Sequence, residues 1–288
     1  MTAVEFNHVT KKRKDFSIKN IDFTIPEGYI TGFIGPNGSG KTTTIQMMMD
    51  LLQIDEGDIK IFGTTHKDHT IKQQIGFVYD DLYMYEEWNI HKMKSFIAPL
   101  YENWNEDIFQ NYLKKFNLPL KKKIKKFSKG MKMKCSLLFA LSHEPKFIIM
   151  DEPTAGLDPI FRRELLDMLQ EQMVQENKTI FLSTHITNDL DRIADYIIFI
   201  NNGEILMKKS MEEIREQFHI VKGQKELLDN DIRNLFNNIQ ETSVGFTALF
   251  EGDPKIFDPF EGEVTIEQAT LEDLMYYMIG GVDNVANH

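Results

Sequence analysis

A glycine-rich stretch that ends in lysine and threonine has the residue types and spacing needed to bind phosphate. Residues 35–42 read GPNGSGKT and match the pattern G-x-x-x-x-G-K-[S/T] at every fixed position. In such a loop, backbone N–H groups cradle phosphate oxygens, and the N-terminus of the following helix adds positive potential. We expect Lys41 to reach the β- and γ-phosphates and Thr42 to ligate magnesium; the alternative is a plain glycine turn before a helix. The nucleotide contacts predicted from this stretch are Asn37, Gly38, Ser39, Gly40, Lys41, Thr42 and Thr43.

Two adjacent carboxylates follow a later apolar run. Residues 147–152 read FIIMDE, and the carboxyl end of a strand is where an α/β sheet presents its ligands. Asp151 is expected to hold magnesium, and Glu152 to polarise the water that attacks the γ-phosphate. Alone, the pair is equally typical of a solvated turn. His185 ends another apolar run, residues 179–182, which is predicted to lie beside the first, so the imidazole is expected to orient the same water.

Short apolar runs separated by helical patterns predict an α/β fold with a largely parallel core. The two opening runs, 4–9 and 18–25, roughly alternate apolar and polar residues and predict a β layer at the start. Between about 81 and 143 the strand signal gives way to helical patterns, which indicates an inserted helical subdomain. We therefore divide the chain into a main domain, 1–209, and a small α/β appendage, 210–288. Further strands of the main domain are expected at 29–34, 59–62, 75–78, 147–150, 179–182, 196–200 and 204–207.

The appendage carries its own helix signals. Ser210–Glu213 and Thr270–Asp273 have the spacing of capped helix starts, and they predict helices that run to about Phe218 and through Met278. Residues 225–239 are also expected to be helical. Strands of the appendage are expected at 244–250 and 263–266.

Composition limits the class of protein. The chain has 288 residues, of which 42% are hydrophobic, and a formal net charge of −11. This charge argues against nucleic acid as a partner. The single cysteine, Cys135, excludes an internal disulfide and is expected to be a small buried residue. No apolar run approaches the roughly 20 residues of a membrane span, and the N-terminus lacks the layout of a signal peptide. The sequence therefore predicts a cytoplasmic protein that reaches a membrane only through a partner.

Taken together, these motifs resemble the nucleotide-binding subunits of ATP-binding cassette (ABC) transporters. The resemblance covers about residues 3–207 and implies the P-loop NTPase fold of ABC ATPases, with an antiparallel β layer and with ATP and Mg²⁺ as ligands. It identifies residues 35–42 as the Walker A loop and residues 147–151 as the Walker B strand. By the same resemblance, Glu152 is the catalytic glutamate and His185 the switch histidine.

Other marks of the family are present in the same order, one of them altered. Asp158 ends a segment that resembles the D-loop, which implies a catalytic role for this residue. The family signature usually reads LSGGQ, whereas residues 127–131 read FSKGM. We expect Ser128, Lys129 and Gly130 to face a γ-phosphate bound by an opposing subunit, at the start of a helix. Lys129 stands where the family has a glycine that lets the backbone approach the phosphate closely, and its side chain would supply a charge instead. The alternative for the whole segment is an ordinary helix cap.

Two further positions depart from the family. The Q-loop glutamine falls near Asp80, where a carboxylate would contact magnesium; the alternative is a solvated turn after a strand. The family stacks an aromatic ring on adenine, but no tyrosine occurs in the matching stretch of this chain. Arg13, through its guanidinium plane, and Phe16 are therefore both candidates for the adenine contact.

A basic run and a group of aromatic residues leave their roles open. Residues 121–126 read KKKIKK, which is typical of a solvated face but also suits contact with anionic lipid or with nucleotide near the signature helix. Tyr83, Tyr85 and Trp88 lie in the region that the family uses as a groove for the permease's coupling helix. The alternative for these rings is packing in the core.

The function implied by the resemblance is that of the ATP-hydrolysing subunit of an exporter. Such a subunit works with a membrane permease and with a second ABC subunit, identical or not, at the inner face of the membrane. The altered signature, Asp80 and the segment 269–274 look most like cassettes that export peptide antibiotics or amphipathic peptides, including the phenol-soluble modulin exporters of staphylococci. The alternatives are a soluble mechanical ATPase of the same fold, not coupled to transport, and a nucleotide-sensing module without turnover, against which Glu152 argues.

Overall fold

A computed structural model describes residues 1–79, 84–176 and 178–283. It divides the chain into two compact units. The first contains Met1–Ile186 and Tyr196–Lys208, and the second contains Thr187–Asp195 and the chain from Lys209 onward. The division of the sequence at residue 209 into two domains stays a prediction.

The elements follow one another along the chain as strands interrupted by helices. The strands are β1 (Thr2–Lys12), β2 (Ser17–Pro26), β3 (Ile30–Ile34), β4 (Glu56–Ile61), β5 (Thr64–Thr65), β6 (Ile75–Val78), β7 (Phe147–Asp151), β8 (Thr179–Thr184), β9 (Tyr196–Asn201), β10 (Glu204–Ser210), β11 (Phe218–Gln224), β12 (Phe236–Glu241), β13 (Gly245–Glu251) and β14 (Val264–Gln268). The α-helices are α1 (Lys41–Met48), α2 (His69–Lys72), α3 (Ile90–Ile97), α4 (Glu106–Lys115), α5 (Lys129–Leu141), α6 (Pro159–Glu176), α7 (Thr187–Ile193), α8 (Met211–Gln217), α9 (Asn230–Arg233) and α10 (Leu271–Asp283). Short 3-10 helices cover Ala98–Leu100, Ile124–Lys126, Lys225–Leu227 and Pro254–Phe260.

The sheet that carries the candidate site has the order β10-β9-β3-β8-β7-β6. Strands β3, β7 and β8 are buried along their whole length, and their pairings with one another and with β6 and β9 are parallel. Continuous apolar runs suit strands that are covered on both faces, which is why the sequence signal was clear. The predicted α/β fold with a largely parallel core is confirmed.

A second, antiparallel sheet of the order β2-β1-β4-β5 forms the predicted β layer. Aromatic packing joins the two sheets: Phe6 stacks on Phe23 with ring centroids 4.3 Å apart, and Phe23 lies 5.8 Å from Phe33 on β3. Phe33 in turn lies 5.3 Å from Phe181 on β8. Each such pair is worth about 0.5–1.5 kcal/mol beyond the area it buries. The core beneath the candidate site is therefore continuous from one sheet to the other.

The insertion between β6 and β7 is helical, as expected, with α3, α4 and α5 as its main elements. Cys135 lies on α5 and is buried, and burial raises the pKa of its thiol to about 12. The thiolate is the reactive form of cysteine, so Cys135 is an inert core residue, as predicted.

The second unit contains an antiparallel sheet of the order β12-β13-β11-β14. The capping box of Ser210 and Glu213 is confirmed at the start of α8. Thr270 Oγ1 accepts from the backbone N–H of Asp273 at 3.1 Å, which confirms the start of α10. None of the helices in the described ranges combines the length and hydropathy that a bilayer-spanning helix needs.

The prediction of a helix over residues 225–239 is wrong for most of that range. Only short turns form at Lys225–Leu227 and Asn230–Arg233, after which the chain becomes strand β12. Phe236 on β12 stacks on Phe257 at 5.8 Å and lies 5.7 Å from Phe246 on β13. Cross-strand aromatic packing of this kind outweighs the weak helical preference of the local sequence.

Candidate nucleotide site

The phosphate-loop sequence lies between β3 and the N-terminus of α1, as the motif predicts. Gly40 has a φ of 115°, and a Cβ atom there would lie 2.7 Å from Ile18 Cδ1 and 2.9 Å from Phe16 Cζ. At Gly35 a Cβ atom would lie 2.2 Å from the carbonyl oxygen of Ile200. Only glycine fits at either position. Packing against its own chain therefore fixes the curvature of the loop.

Lys41 turns its side chain back into this loop. The residue is only 6% exposed, and its Nζ donates to the carbonyl oxygens of Gly35 at 2.8 Å and Pro36 at 3.2 Å. The same nitrogen lies 3.3 Å from Glu152 Oε1. A buried ammonium needs such partners, because desolvation of an unpaired charge is costly. The ammonium is thus held at the loop, where the motif requires it.

The loop fits a phosphate group on independent grounds. Ser39 is buried, and within the described ranges its Oγ has no hydrogen-bond partner. A buried hydroxyl without a partner is costly, and a phosphate oxygen would satisfy it. Asn37 and Gly38, at the tip of the loop, are exposed.

The second half of the site is the end of β7. Asp151 is 3% exposed, and Ser183 Oγ on β8 donates to Asp151 Oδ1 at 2.5 Å. The next residue, Glu152, has a φ of 47°, which is uncommon for a residue other than glycine. Its backbone N–H donates to the carbonyl oxygen of Ser183 at 3.0 Å. This left-handed backbone at Glu152 coincides with the end of β7 at Asp151.

Glu152 brings the predicted residues together. Its Oε1 faces Lys41 Nζ, and its Oε2 lies 2.8 Å from His185 Nδ1 and accepts from the His185 backbone N–H at 3.3 Å. Glu152 and His185 can contact each other because they follow β7 and β8, which are parallel neighbours with Asp151 opposite Ser183. The predicted adjacency of these strands is confirmed. The carboxylate can accept a proton from water, and His185 Nδ1 is the ring nitrogen that holds it in place.

The same residues fit a magnesium ion. Thr42 is exposed at the start of α1, and Asp151 lies at the adjacent strand end. Among the described residues, no group of three or more histidine, cysteine or acidic side chains could hold a metal. Mg²⁺ usually binds through one or two protein oxygens and completes its shell with phosphate oxygens and water, and the Thr42 hydroxyl and the Asp151 carboxylate are oxygens of this kind.

The signature residues lie at the start of α5. Ser128 is the N-cap, and its Oγ accepts from the backbone N–H of Met131 at 3.3 Å. A Cβ atom on Gly130 would make only an ordinary contact, 3.6 Å from Phe161 Cδ1, so packing against the described residues does not require glycine there. Lys129 Nζ lies 2.9 Å from where a Cβ atom on Gly156 would be. The signature lysine therefore packs against the segment 154–158, the predicted D-loop.

Asp158 has a structural role in the described structure. Its Oδ1 accepts from the backbone N–H of Phe161 at 3.0 Å, in the first turn of α6. This is the position of a helix N-cap. The catalytic role of Asp158 stays a prediction.

The two candidates for the adenine contact are placed differently. Phe16 is half-buried and packs beside Gly40 of the phosphate loop, whereas Arg13 is exposed. The backbone N–H of Arg13 donates to the carbonyl oxygen of Phe16 at 2.8 Å, so a tight turn joins them. Asp80 and Tyr83 lie outside the described residues.

Ser183 is a site residue that the motifs did not identify, because it contacts Asp151 only through strand pairing. The register of β7 and β8 was the available signal. Replacing Ser183 with alanine removes the hydrogen bond that orients the Asp151 carboxylate. Since loss of such a supporting bond typically weakens metal binding by roughly 10- to 100-fold, we expect ATP hydrolysis to need about tenfold more magnesium. The measurement is the magnesium dependence of phosphate release at fixed ATP.

The matched control is Thr31→Val on the neighbouring strand β3. Thr31 is equally buried, and in the described part of the chain its hydroxyl has no hydrogen-bond partner. This variant is expected to keep the wild-type magnesium dependence. An unchanged magnesium dependence in Ser183→Ala would show that Ser183 does not support a metal ligand.

The chain is similar to known proteins along the part that builds this site. A family model described as ABC transporter matches residues 18–155. The chain is 32% identical over 206 residues to the uncharacterized ABC transporter ATP-binding protein YxlF of Bacillus subtilis (strain 168), over 70% of this chain and 68% of that protein. It is 29% identical to the bacitracin transport ATP-binding protein BcrA of Enterococcus faecalis, over 75% of this chain and 71% of that one. A solved structure of an ATP-binding subunit of an ABC transporter matches with a TM-score of 0.67 and 29% identity, over 74% of this chain and 92% of that chain.

Proposed function

This chain belongs to the ATP-binding subunits of ABC transporters, and on that basis we propose that it drives the export of amphipathic peptides or peptide antibiotics through a partner permease. ABC ATP-binding subunits bind and hydrolyse ATP and work with membrane permeases. The class of cargo is supported by similarity to a bacitracin transport ATP-binding protein. The observation that carries the ATPase mechanism is the contact of one carboxylate, Glu152, with both Lys41 and His185.

The proposed mechanism assigns one task to each group. Lys41 and the N–H groups of the loop bind the phosphates, and Thr42 and Asp151 would hold Mg²⁺, which would neutralise phosphate charge when bound. Glu152 takes the proton from the attacking water, and His185 holds the carboxylate and the water in line. The water oxygen bonds to the γ-phosphorus as the bond from this phosphorus to the β–γ bridging oxygen breaks. The proton of the water goes to Glu152, and the products are ADP and inorganic phosphate.

We place the completed site between two ABC subunits. Ser128 and Gly130 lie at the N-terminus of α5, a helix of 13 residues, where a hydroxyl and the helix dipole suit a phosphate held by a facing subunit. Gly130 supports this arrangement because a Cβ atom there would make only an ordinary contact with the described residues, which leaves room for a facing subunit to approach closely. Binding of ATP between the subunits would close the pair, and hydrolysis would reopen it. The subunit would then lie at the inner face of the membrane, held by the permease.

The test is to search the genes beside this one for a protein with several membrane spans and to co-express it with this chain. We expect the two proteins to copurify in detergent, and we expect cells that express both to export an added amphipathic peptide. Cells that carry Glu152→Gln in place of the wild type should assemble the complex but fail to export. An active ATPase that never copurifies with the membrane protein would instead indicate a mechanical ATPase that is not coupled to transport.

A further inference from the structure

The segment that follows the predicted Q-loop is paired with the segment that precedes the signature. The backbone N–H of Ile124 donates to the carbonyl oxygen of Trp88 at 2.8 Å, and that of Lys125 donates to the carbonyl oxygen of Glu86 at 2.9 Å. Ile124 is fully buried and anchors the contact. The pairing ends just before Ser128, the N-cap of α5. The two segments therefore hold each other beside the signature.

Three ion pairs reinforce this contact, and each runs from one segment to the other. Glu87 lies 2.6 Å from Lys125 Nζ and 2.9 Å from Lys123 Nζ. The hydrogen bonds from these two lysines lower the pKa of Glu87 to about 2. Glu86 forms an ion pair with Lys132, which lies in the first turn of α5. We name Glu86, Glu87, Lys123, Lys125 and Lys132 the ionic clasp.

The side chains around the ionic clasp lie at the surface. The lysines of the basic run at 121–126 are all exposed, which agrees with a solvated face. Tyr85 is 62% exposed and stacks on the half-buried Trp88, with ring centroids 4.7 Å apart. Packing of Tyr85 in the core, the alternative that the sequence left open, is therefore wrong.

The ionic clasp reaches the signature through one hydrogen bond. The backbone N–H of Lys132, whose side chain Glu86 holds, donates to the carbonyl oxygen of Ser128 at 2.9 Å. A single exposed ion pair contributes little to stability, but several that converge on the start of one helix restrict where that start can lie. The positions of Ser128 and Gly130 are therefore tied to the acidic residues that follow the predicted Q-loop.

We propose that the ionic clasp positions the signature for a phosphate bound by the facing subunit, which makes Glu86 and Glu87 positioning residues for ATP hydrolysis. This role rests on the proposed function, in which two subunits enclose ATP. Within the described ranges, the ionic clasp forms no hydrogen bond or ion pair with the phosphate loop at 35–42. Loss of the ionic clasp should therefore leave nucleotide binding by a single subunit intact and weaken closure of the pair.

The experiment measures ATP-dependent dimerisation of the full chain in the Glu152→Gln background, where hydrolysis is blocked. Adding Glu86→Gln and Glu87→Gln removes the three ion pairs. Since each exposed pair is worth about fivefold at most, the dissociation constant of the dimer in saturating ATP should rise roughly tenfold. Sedimentation velocity with magnesium and ATP measures this constant. The ATP affinity of the monomer, measured in dilute protein, should match that of the background variant.

Two further variants separate positioning from a general loss of charge. Glu87→Lys should weaken dimerisation, and adding Lys123→Glu and Lys125→Glu should restore it to within about threefold, because the ion pairs form again with the charges exchanged. The matched control, Glu171→Gln with Glu204→Gln, removes two exposed ion pairs elsewhere in the same unit. This control should dimerise as the background variant does.

Circular dichroism checks that each variant is folded. The proposal is overturned if the variant without Glu86 and Glu87 dimerises as its control does, or if exchanging the charges fails to restore dimerisation. It is also overturned if the ATP affinity of the monomer falls as much as dimerisation does, since the ionic clasp would then act on the nucleotide site of its own subunit. If Glu152→Gln alone forms no pair with ATP, the proposed two-subunit arrangement is itself wrong, which overturns the role of the ionic clasp as well.

Discussion

Replacing Glu152 with glutamine is expected to abolish ATP turnover while leaving nucleotide binding intact. Glutamine has nearly the same size and can still accept a hydrogen bond from Lys41, but its amide cannot take a proton from water. Loss of a general base typically costs roughly 10²- to 10⁴-fold in rate. The bound nucleotide should then persist, and the variant should accumulate as a closed dimer.

Phosphate release, nucleotide affinity and gel filtration with ATP measure the three parts of this expectation. Glu56→Gln is the matched control, because Glu56 is an exposed glutamate at the start of β4, in the sheet opposite the site. It should hydrolyse ATP at the wild-type rate. A wild-type rate for Glu152→Gln would show that another group activates the water.

Replacing Lys41 with alanine is expected to remove most of the affinity for nucleotide. Among the described residues, the Lys41 ammonium and His185 contact the Glu152 carboxylate, and the ammonium lies inside the phosphate loop. A hydrogen bond to a charged group is worth about 1.5–3 kcal/mol, which corresponds to a roughly 10- to 100-fold weaker binding of ATP. Titration calorimetry with ATP and magnesium measures this loss directly.

Lys178 provides the control for burial. It is 6% exposed, as Lys41 is, and its Nζ donates to Gln172 Oε1 at 3.0 Å, away from the phosphate loop. Lys178→Ala should lower thermal stability but keep the wild-type affinity for ATP. If Lys41→Ala binds ATP as tightly as Lys178→Ala does, the loop at residues 35–42 is not the nucleotide site.

The sequence was sufficient to predict those features that depend on consecutive residues. The phosphate loop is a local motif whose glycines are required by the local backbone geometry. The apolar runs at β3, β7 and β8 are long enough to identify buried strands. Parallel neighbours bring their carboxyl ends to one edge. That rule was enough to predict that His185 lies beside Glu152, and the contact at 2.8 Å confirms it.

Features that depend on distant contacts were not accessible in the same way. Ser183 acquires its role from the register between β7 and β8, which no short pattern encodes. Strand β12 forms because Phe236 finds aromatic partners on β13 and in the 3-10 helix at Pro254–Phe260, whereas its own sequence has a helix-like spacing. Local propensity is a weak guide where tertiary packing decides.

The contacts of Lys41 determine how a nucleotide phosphate can bind to this subunit. An ammonium has three N–H groups, and in the described structure they face three oxygens, those of Gly35, Pro36 and Glu152. A phosphate oxygen must therefore displace one of these three oxygens before it can accept a hydrogen bond from the ammonium. If the displaced oxygen is that of Glu152, binding of the phosphate frees the Glu152 carboxylate to accept a proton. Without nucleotide, this carboxylate stays paired with the Lys41 ammonium.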